Sequence, residues 1–142
     1  MTPEQVTLVQ SSFEKVRPIA DTTAQLFYDR LFEIAPEVRP LFTGDMKEQG
    51  RKLMTMLATA VVSLDKMEKI IPAVQELGRR HASYGVREEH YGRVGEALLW
   101  TLERSLGNDF TPNVRDAWAA IYGTLAQTML DAVHGRVARA AQ

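Results

Sequence analysis

The placement of six prolines constrains the fold of this chain more than any other sequence feature. Thr2 and Pro3, and again Thr111 and Pro112, have the signature of a helix start: an N-cap residue followed by proline at the first helical position. Gln5 completes a capping box with Thr2. The other prolines lie at corners between helical patterns: Pro18, Pro36, Pro40 and Pro72. These signals predict several helices of unequal length joined by sharp turns.

Apolar residues recur at helical spacing, and no strand pattern is found. Val6, Val9, Phe13 and Val16 make one apolar stripe. Longer helices are predicted over about 45–63 and about 88–106, and glycines mark the ends of the later ones. The chain is therefore expected to be all-α, with about seven helices in crossed packing around a pocket rather than an up-and-down bundle. At 142 residues we expect one domain over 1–142, with a frayed tail after Gly135.

Composition excludes several classes of function. The net charge of −1 and the absence of a basic stripe argue against nucleic acid as a partner. The longest mainly apolar stretch, 53–64, is too short to span a membrane. The N-terminus lacks the layout of a secretory signal, and cysteine is absent, which together favour a cytoplasmic location without disulfides.

Three histidines are the candidates for chemistry: His81, His90 and His134. The sequence has no HExxH, CxxC, P-loop, GxGxxG or GxSxG motif, so hydrolytic zinc, dithiol, nucleotide and serine-nucleophile sites have no support. A lone histidine at a helix end is more often a cap or a surface residue, and we interpret His90 and His134 in that way.

His81 differs because it stands on the apolar face of its helix. Leu77 lies one turn before it and Val74 two turns before it. An imidazole on an apolar wall suits an iron ligand, since a porphyrin plane then rests against hydrocarbon. The other ring nitrogen needs an acceptor, and the carbonyl near Leu77 is placed to provide one.

Four stretches of the chain resemble one family in order and with its spacing. They are LGRRHASYGV with Tyr91 ten residues past its histidine, LFYDRLFEIAPEVRPLF, RKLM before an apolar run, and SLGNDFTPNVRDAWAAIYG. Together they resemble globins of the flavohaemoglobin, bacterial haemoglobin and neuroglobin type over nearly the whole chain. The resemblance implies a bacterial single-domain globin fold around a haem b.

The resemblance also implies roles for individual residues. His81 matches the proximal iron ligand and Phe42 the aromatic wedge against the haem. Gln49 stands where many relatives have a distal histidine, Tyr28 faces it, and Leu53 lies over the iron. Lys52 and Arg80 are expected to reach the haem propionates. The positions expected to line the pocket are Leu77, Val86, Tyr91, Val94, Tyr122 and Met129.

Gln49 is the most informative departure from the histidine-bearing relatives. A neutral amide is a poor iron ligand, so we expect an open sixth position in the ferrous protein. Bound oxygen carries partial negative charge, and Tyr28 and Gln49 can each donate a hydrogen bond to it. Each bond contributes about 1–1.5 kcal/mol, or about tenfold in affinity. The expected function is reversible binding of oxygen, and also of carbon monoxide and nitric oxide, with slow oxygen release.

The alternative is an enzyme that oxidises nitric oxide to nitrate. In flavohaemoglobin-type globins a tyrosine and a glutamate support the proximal histidine; here Tyr91 matches the tyrosine, but Val133 occupies the glutamate position. Asp131 is about 200° away around the helix. The resemblance therefore argues against peroxidase-like chemistry. With no flavin- or nicotinamide-binding domain expected, turnover would need an external reductase. Gas sensing, which requires an output domain, and a haem-free helical interaction module are the remaining alternatives.

Overall fold

The computed structural model describes residues 1–135 and is helical throughout, without a strand in that range. Its six α-helices are Pro3–Val16 (α1), Ala20–Ile34 (α2), Met46–Val62 (α3), Met67–Ser83 (α4), Glu88–Leu106 (α5) and Pro112–Val133 (α6). Short 3₁₀ helices lie at Arg17–Ile19, Pro36–Leu41, Leu64–Lys66 and Gly107–Asp109. The all-α prediction is confirmed, with six α-helices where about seven were expected. The tail predicted to fray, 136–142, lies outside the described residues.

The helix boundaries follow from local chemistry. Thr2 and Gln5 form the predicted capping box: the Thr2 hydroxyl accepts from the Gln5 N–H at 3.1 Å, and the Gln5 side chain accepts from the Thr2 N–H at 3.0 Å. Thr111 caps α6 by accepting from the N–H of Val114. Gly107 ends α5 with φ of +57°, a conformation that favours glycine. These ends were predictable because each depends on residues adjacent in the chain.

Prolines shape the corners somewhat differently from the prediction, and Pro72, which was expected at a corner, lies inside α4. Pro18 was expected to open the second helix, but it lies within a 3₁₀ turn and α2 begins at Ala20. Pro36 and Pro40 lie in one six-residue 3₁₀ helix that leads to Phe42, as expected. The helix predicted over about 45–63 is α3, with Asp45 as its N-cap, its carboxylate accepting from the Lys47 N–H at 3.0 Å.

Helices that pack against each other are mostly not consecutive in the chain. Helix α2 packs against α3 and α5, α1 packs against α6, and α4 packs against α6. Helices α3 and α4 follow one another in the chain, yet in the described part of the protein they are not among the pairs that pack extensively. Helices α2 and α3, and helices α4 and α6, therefore form two walls that are supported by different contacts.

The apolar core is divided in the same way. A large cluster draws buried residues from α1, α2, α3, α5 and α6. A smaller one has Val74 of α4, Tyr91 of α5, and Ala126 and Met129 of α6 at its centre. Tyr122 contacts both clusters. Among residues 1–135, no helix combines the length and apolar character required to cross a membrane.

Candidate functional site

His81 lies near the C-terminal end of α4 with one ring nitrogen already occupied. Its Nδ1 is 2.8 Å from the carbonyl oxygen of Leu77, the partner expected from the sequence. Because a carbonyl only accepts, Nδ1 carries the hydrogen and Nε2 keeps its lone pair. Burial lowers the pKa of His81, partly opposed by the Leu77 carbonyl, and the charge of Arg80 lowers it further. The side chain is thus held as a neutral imidazole with Nε2 available to a metal.

Apolar residues precede and follow His81 in the chain, and this lining fits a haem. Within residues 1–135 no hydrogen bond to Nε2 is found, and no group of acidic or histidine side chains is arranged to hold a bare metal ion. Leu77 and Val86 are half-buried and pack on the smaller cluster. The N–H of Val86 donates to the His81 carbonyl at 3.0 Å, which fixes the turn after α4. A single imidazole against hydrocarbon matches a haem better than a hydrated cation.

Two tyrosines support the proximal residues: Tyr91 lies in the smaller cluster, and Tyr122 packs against it. The hydroxyl of Tyr122 donates to the backbone carbonyl of Tyr91 at 2.7 Å and so ties α6 to α5. Burial raises the pKa of both phenols, so each stays protonated at neutral pH. Tyr91 is buried, whereas Val133, which occupies the glutamate position of the sequence argument, is 38% exposed at the end of α6. Met129 completes the buried centre of the cluster.

Tyr28 and Gln49 form a hydrogen-bonded pair between α2 and α3. Nε2 of Gln49 donates to the Tyr28 hydroxyl oxygen at 3.3 Å. Tyr28 is only 7% exposed, and burial raises its pKa although the Gln49 hydrogen bond acts in the opposite direction. The phenol therefore keeps its proton. Since its oxygen accepts from Gln49, the hydroxyl hydrogen remains available for a different acceptor.

An aromatic group surrounds Tyr28. Its ring is 5.0 Å from that of Phe27, 5.9 Å from Phe32 and 5.3 Å from Phe42, measured between centroids. Arg39 lies over Phe32 at 5.0 Å and donates to the Phe42 carbonyl at 2.9 Å, which covers the outside of the group. Phe42, predicted to be the wedge, is thus held edge-on against Tyr28.

The remaining predicted residues lie on the same two walls. Leu53 and Val94 are half-buried against the large cluster. Lys52 and Arg80 are exposed, and neither has an ion-pair partner among the residues that the structure describes. No hydrogen bond or ring contact in residues 1–135 joins Tyr28 to His81. The structure thus places Tyr28 and His81 in different parts of the fold; we call the surroundings of Tyr28 the distal side and those of His81 the proximal side, after the roles that the resemblance predicts.

The other two histidines have structural roles. His90 was predicted to be a surface or cap residue; it is a cap, with Nδ1 accepting from the Arg87 N–H at 3.0 Å. It is not on the surface, because only 8% of it is exposed. His134 caps the end of α6, and its Nε2 lies 3.0 Å from a carboxylate oxygen of Glu88.

Two glycines beside the site were missed by the sequence reasoning. Gly50, next to Gln49, faces Ala24 so closely that a Cβ there would lie 3.0 Å from the Ala24 Cβ. Gly78, three residues before His81, faces the backbone of Met129, where a Cβ would lie 2.5 Å from the carbonyl oxygen. The available signal was glycine inside a helical pattern, which indicates close packing without naming the partner.

Comparisons with known proteins identify the family to which the chain belongs. The family model described as Globin matches residues 25–129. Flavohemoproteins are similar over most of the chain: that of Bacillus subtilis is 31% identical over 129 residues, covering 88% of this chain, and that of Bordetella parapertussis is 33% identical over 134 residues, covering 92%. The chain spans about a third of the length of these curated relatives, 32% and 33% respectively.

A solved structure supports the same fold. The bacterial globin from Campylobacter jejuni superposes with a TM-score of 0.81 at 25% sequence identity. The match covers 94% of this chain and 97% of that one. The crossed-helix architecture expected from the sequence is therefore that of a solved protein of nearly the same extent.

Proposed function

Because the chain belongs to the globin family, we propose that it holds one haem b through Nε2 of His81 and binds oxygen reversibly. Haem-based binding of small gases is the activity that the family supports in general. The observation that carries the proposal is the partly buried imidazole of His81, whose Nδ1 is held by the Leu77 carbonyl while Nε2 has no hydrogen-bond partner among residues 1–135. That arrangement fixes both the tautomer and the direction of the ligating nitrogen.

A bound haem supplies a ferrous iron that takes oxygen, carbon monoxide or nitric oxide. The chain's own residues enclose and orient it. Phe42 and Leu53 cover the distal side, and Lys52 and Arg80, exposed and without ion-pair partners in the described chain, are free to pair with the propionates. The proximal lining consists of Leu77, Val86, Tyr91, Tyr122 and Met129, and Val94 lines the pocket from the large cluster.

Tyr28 is the main hydrogen-bond donor to the bound gas in this proposal. The sequence suggested that Tyr28 and Gln49 donate independently. The Gln49 amide donates to the phenol oxygen, so the phenol hydrogen is not used in this pair and is available to a bound gas in our proposal. Gln49 then orients Tyr28 and, being a neutral amide, does not compete for the iron. One such hydrogen bond stabilises bound oxygen by about 1–1.5 kcal/mol.

The absorption spectrum tests the haem proposal. The purified protein reconstituted with haem should show a Soret band with five-coordinate ferrous features. His81→Ala should weaken or shift that band, whereas His134→Ala, at the exposed end of α6, should leave it unchanged. A six-coordinate ferrous spectrum without added ligand would contradict the open distal site.

Stopped-flow oxygen release tests the distal proposal. Tyr28→Phe should release oxygen about tenfold faster, since it removes the donor and leaves the ring packing. Gln49→Leu should have a smaller effect, because the phenol remains but loses the amide that orients it. If Tyr28→Phe releases oxygen no faster than the parent, Tyr28 is not the donor.

Nitric oxide dioxygenation is the second candidate, favoured by the similarity to flavohemoproteins. In this reaction one oxygen molecule and one nitric oxide become nitrate, and one electron from a reductase returns the ferric iron to the ferrous state. Mixing the oxygenated protein with nitric oxide should give nitrate and ferric protein once. Repeated turnover on adding a flavin-containing reductase and NADH would favour this function; a single turnover only would favour oxygen binding.

A further inference from the structure

We propose that Gly78 is a positioning residue for His81: by allowing α4 to touch the backbone of α6, it sets where the imidazole stands in the pocket. The inference rests on the proposed role of His81 as the haem ligand and adds a residue that does not itself touch the haem. The inference starts from one observation: an added Cβ at Gly78 would come closer to its neighbours than one at any other glycine of residues 1–135.

The contact at Gly78 is between two backbones. A Cβ at this position would lie 2.5 Å from the Met129 carbonyl oxygen, 2.7 Å from its Cα and 2.8 Å from its Cβ. Ordinary contact begins at 3.4 Å, and distances under 3.0 Å essentially do not occur. None of these three atoms can rotate away, because all belong to the α6 backbone or are fixed to it. Any side chain at Gly78 therefore requires the two helices to separate.

Helix α4 has few other anchors that could hold it in place. Val74 and Gly78 are its only buried residues in the structure. Its extensive helix packing is against α6, and it does not pack extensively on α3 within the described chain. If a side chain at Gly78 forces the two helices apart, α4 is therefore the helix that moves, because it has fewer buried residues than α6. Helix α6, with six buried residues, keeps its place.

Movement of α4 reaches His81 directly. Gly78 and His81 are three residues apart, within one helical turn. The hydrogen bond from Nδ1 to the Leu77 carbonyl links the imidazole to the same turn, so the ring moves with the backbone. The Val86 N–H to the His81 carbonyl extends this link past the helix end. Displacing α4 therefore changes the position of Nε2 relative to the haem without altering its tautomer.

The test is Gly78→Ala in the haem-reconstituted protein, read by resonance Raman spectroscopy of the ferrous form. The iron–histidine stretching band should shift by several wavenumbers and broaden, since the imidazole is displaced from its place. Haem loss to an acceptor protein should be about tenfold faster. The matched controls are Gly92→Ala in α5 and Gly123→Ala in α6, where an added Cβ meets nothing within 4 Å. Both should keep the parent's band.

A second experiment separates positioning from general loss of stability. In His81→Gly supplied with free imidazole, the ligand is no longer attached to α4. Adding Gly78→Ala to that protein should leave the iron–imidazole band unmoved, although it destabilises the fold to the same extent. If the band moves equally with tethered and free imidazole, Gly78 does not act through His81 and the proposal is overturned.

The outcomes also distinguish this proposal from the proposed function. A parent protein without an iron–histidine band, or with a Soret band unaffected by His81→Ala, refutes the ligand assignment itself. A parent with the band and a Gly78→Ala variant that keeps it unshifted overturns the positioning role alone. A Gly78→Ala protein that does not fold with haem present, while Gly92→Ala and Gly123→Ala fold and keep the parent's band, shows a purely structural contact and also overturns the positioning role.

Discussion

Two helix crossings flank the candidate site, and they are built differently. On the distal side, Gly50 of α3 meets Ala24 of α2, with a Cβ-to-Cβ approach of 3.0 Å if Gly50 had a side chain. On the proximal side, Gly78 of α4 meets the backbone of Met129 of α6, where the corresponding approach is 2.5 Å. The first contact involves one small side chain, and the second involves main-chain atoms.

The distal crossing can adjust to a change in side-chain size, whereas the proximal crossing cannot. Ala24 lies one turn before Tyr28, and Gly50 is next to Gln49, so the distal crossing sets the reach of the hydrogen bond between Tyr28 and Gln49. Changing the size of Ala24 can open or close that crossing by a few tenths of an ångström. No substitution at Met129 moves its own carbonyl, so the proximal crossing tolerates only glycine at Gly78.

The largest expected effect tests the proximal crossing through stability. Gly78→Ala should lower the free energy of unfolding by about 2 kcal/mol, because overpacking costs about 1–3 kcal/mol and exceeds the gain from a better helix former. Urea unfolding of the haem-free protein measures it. Adding Met129→Ala should bring no relief, since the clashing oxygen, Cα and Cβ all remain. Relief in the double variant would show that the contact is an ordinary side-chain clash.

A smaller effect is expected from the second anchor of the proximal wall. Tyr122→Phe removes the hydrogen bond to the Tyr91 carbonyl and should cost about 1 kcal/mol of unfolding free energy. Tyr84→Phe is the matched control, because Tyr84 is 66% exposed and should be nearly neutral. Equal effects of the two changes would mean that the link from α6 to α5 contributes nothing to this wall.

The smallest expected effect tests the distal crossing. Gly50→Ala should cost only about 0.5 kcal/mol, because a slight parting of α2 and α3 is largely offset by the helix propensity of alanine. Unlike the proximal case, Ala24→Gly should compensate for it, giving a favourable coupling energy in a double-mutant cycle. Oxygen release should be modestly faster in Gly50→Ala and return toward the parent's rate in the double variant. Additive effects would remove the distinction between the two crossings.

What could be predicted from the sequence is what depends on neighbours in the chain. The capping box of Thr2 and Gln5 and the glycine end of α5 at Gly107 require no knowledge of the fold. The Leu77 acceptor for His81 was also predictable, since it lies one turn away on the same helix. The prediction that Tyr28 and Gln49 lie together came from the family resemblance, because periodicity cannot place one helix against another.

The remainder could not be predicted because it depends on which helices meet. Gly50 and Gly78 are indistinguishable in the sequence from Gly92, yet only the first two lie at close crossings. His90 was expected at the surface or at a cap, and its burial follows from how the start of α5 packs. Pro18 lies within a 3₁₀ turn rather than at the start of an α-helix, a distinction that local propensity does not resolve.

The division of the core into two clusters has a consequence for amide hydrogen exchange. Helix α4 contributes only Val74 and Gly78 to the buried interior, whereas α1, α2 and α6 each contribute four or more buried residues. In the haem-free chain the amides of α4 should therefore exchange through a local opening of low free energy, while those of the large cluster exchange only on global unfolding. Haem binding would then raise the protection of amides from exchange most strongly in α4, because the cofactor would supply the buried apolar contacts that this helix lacks.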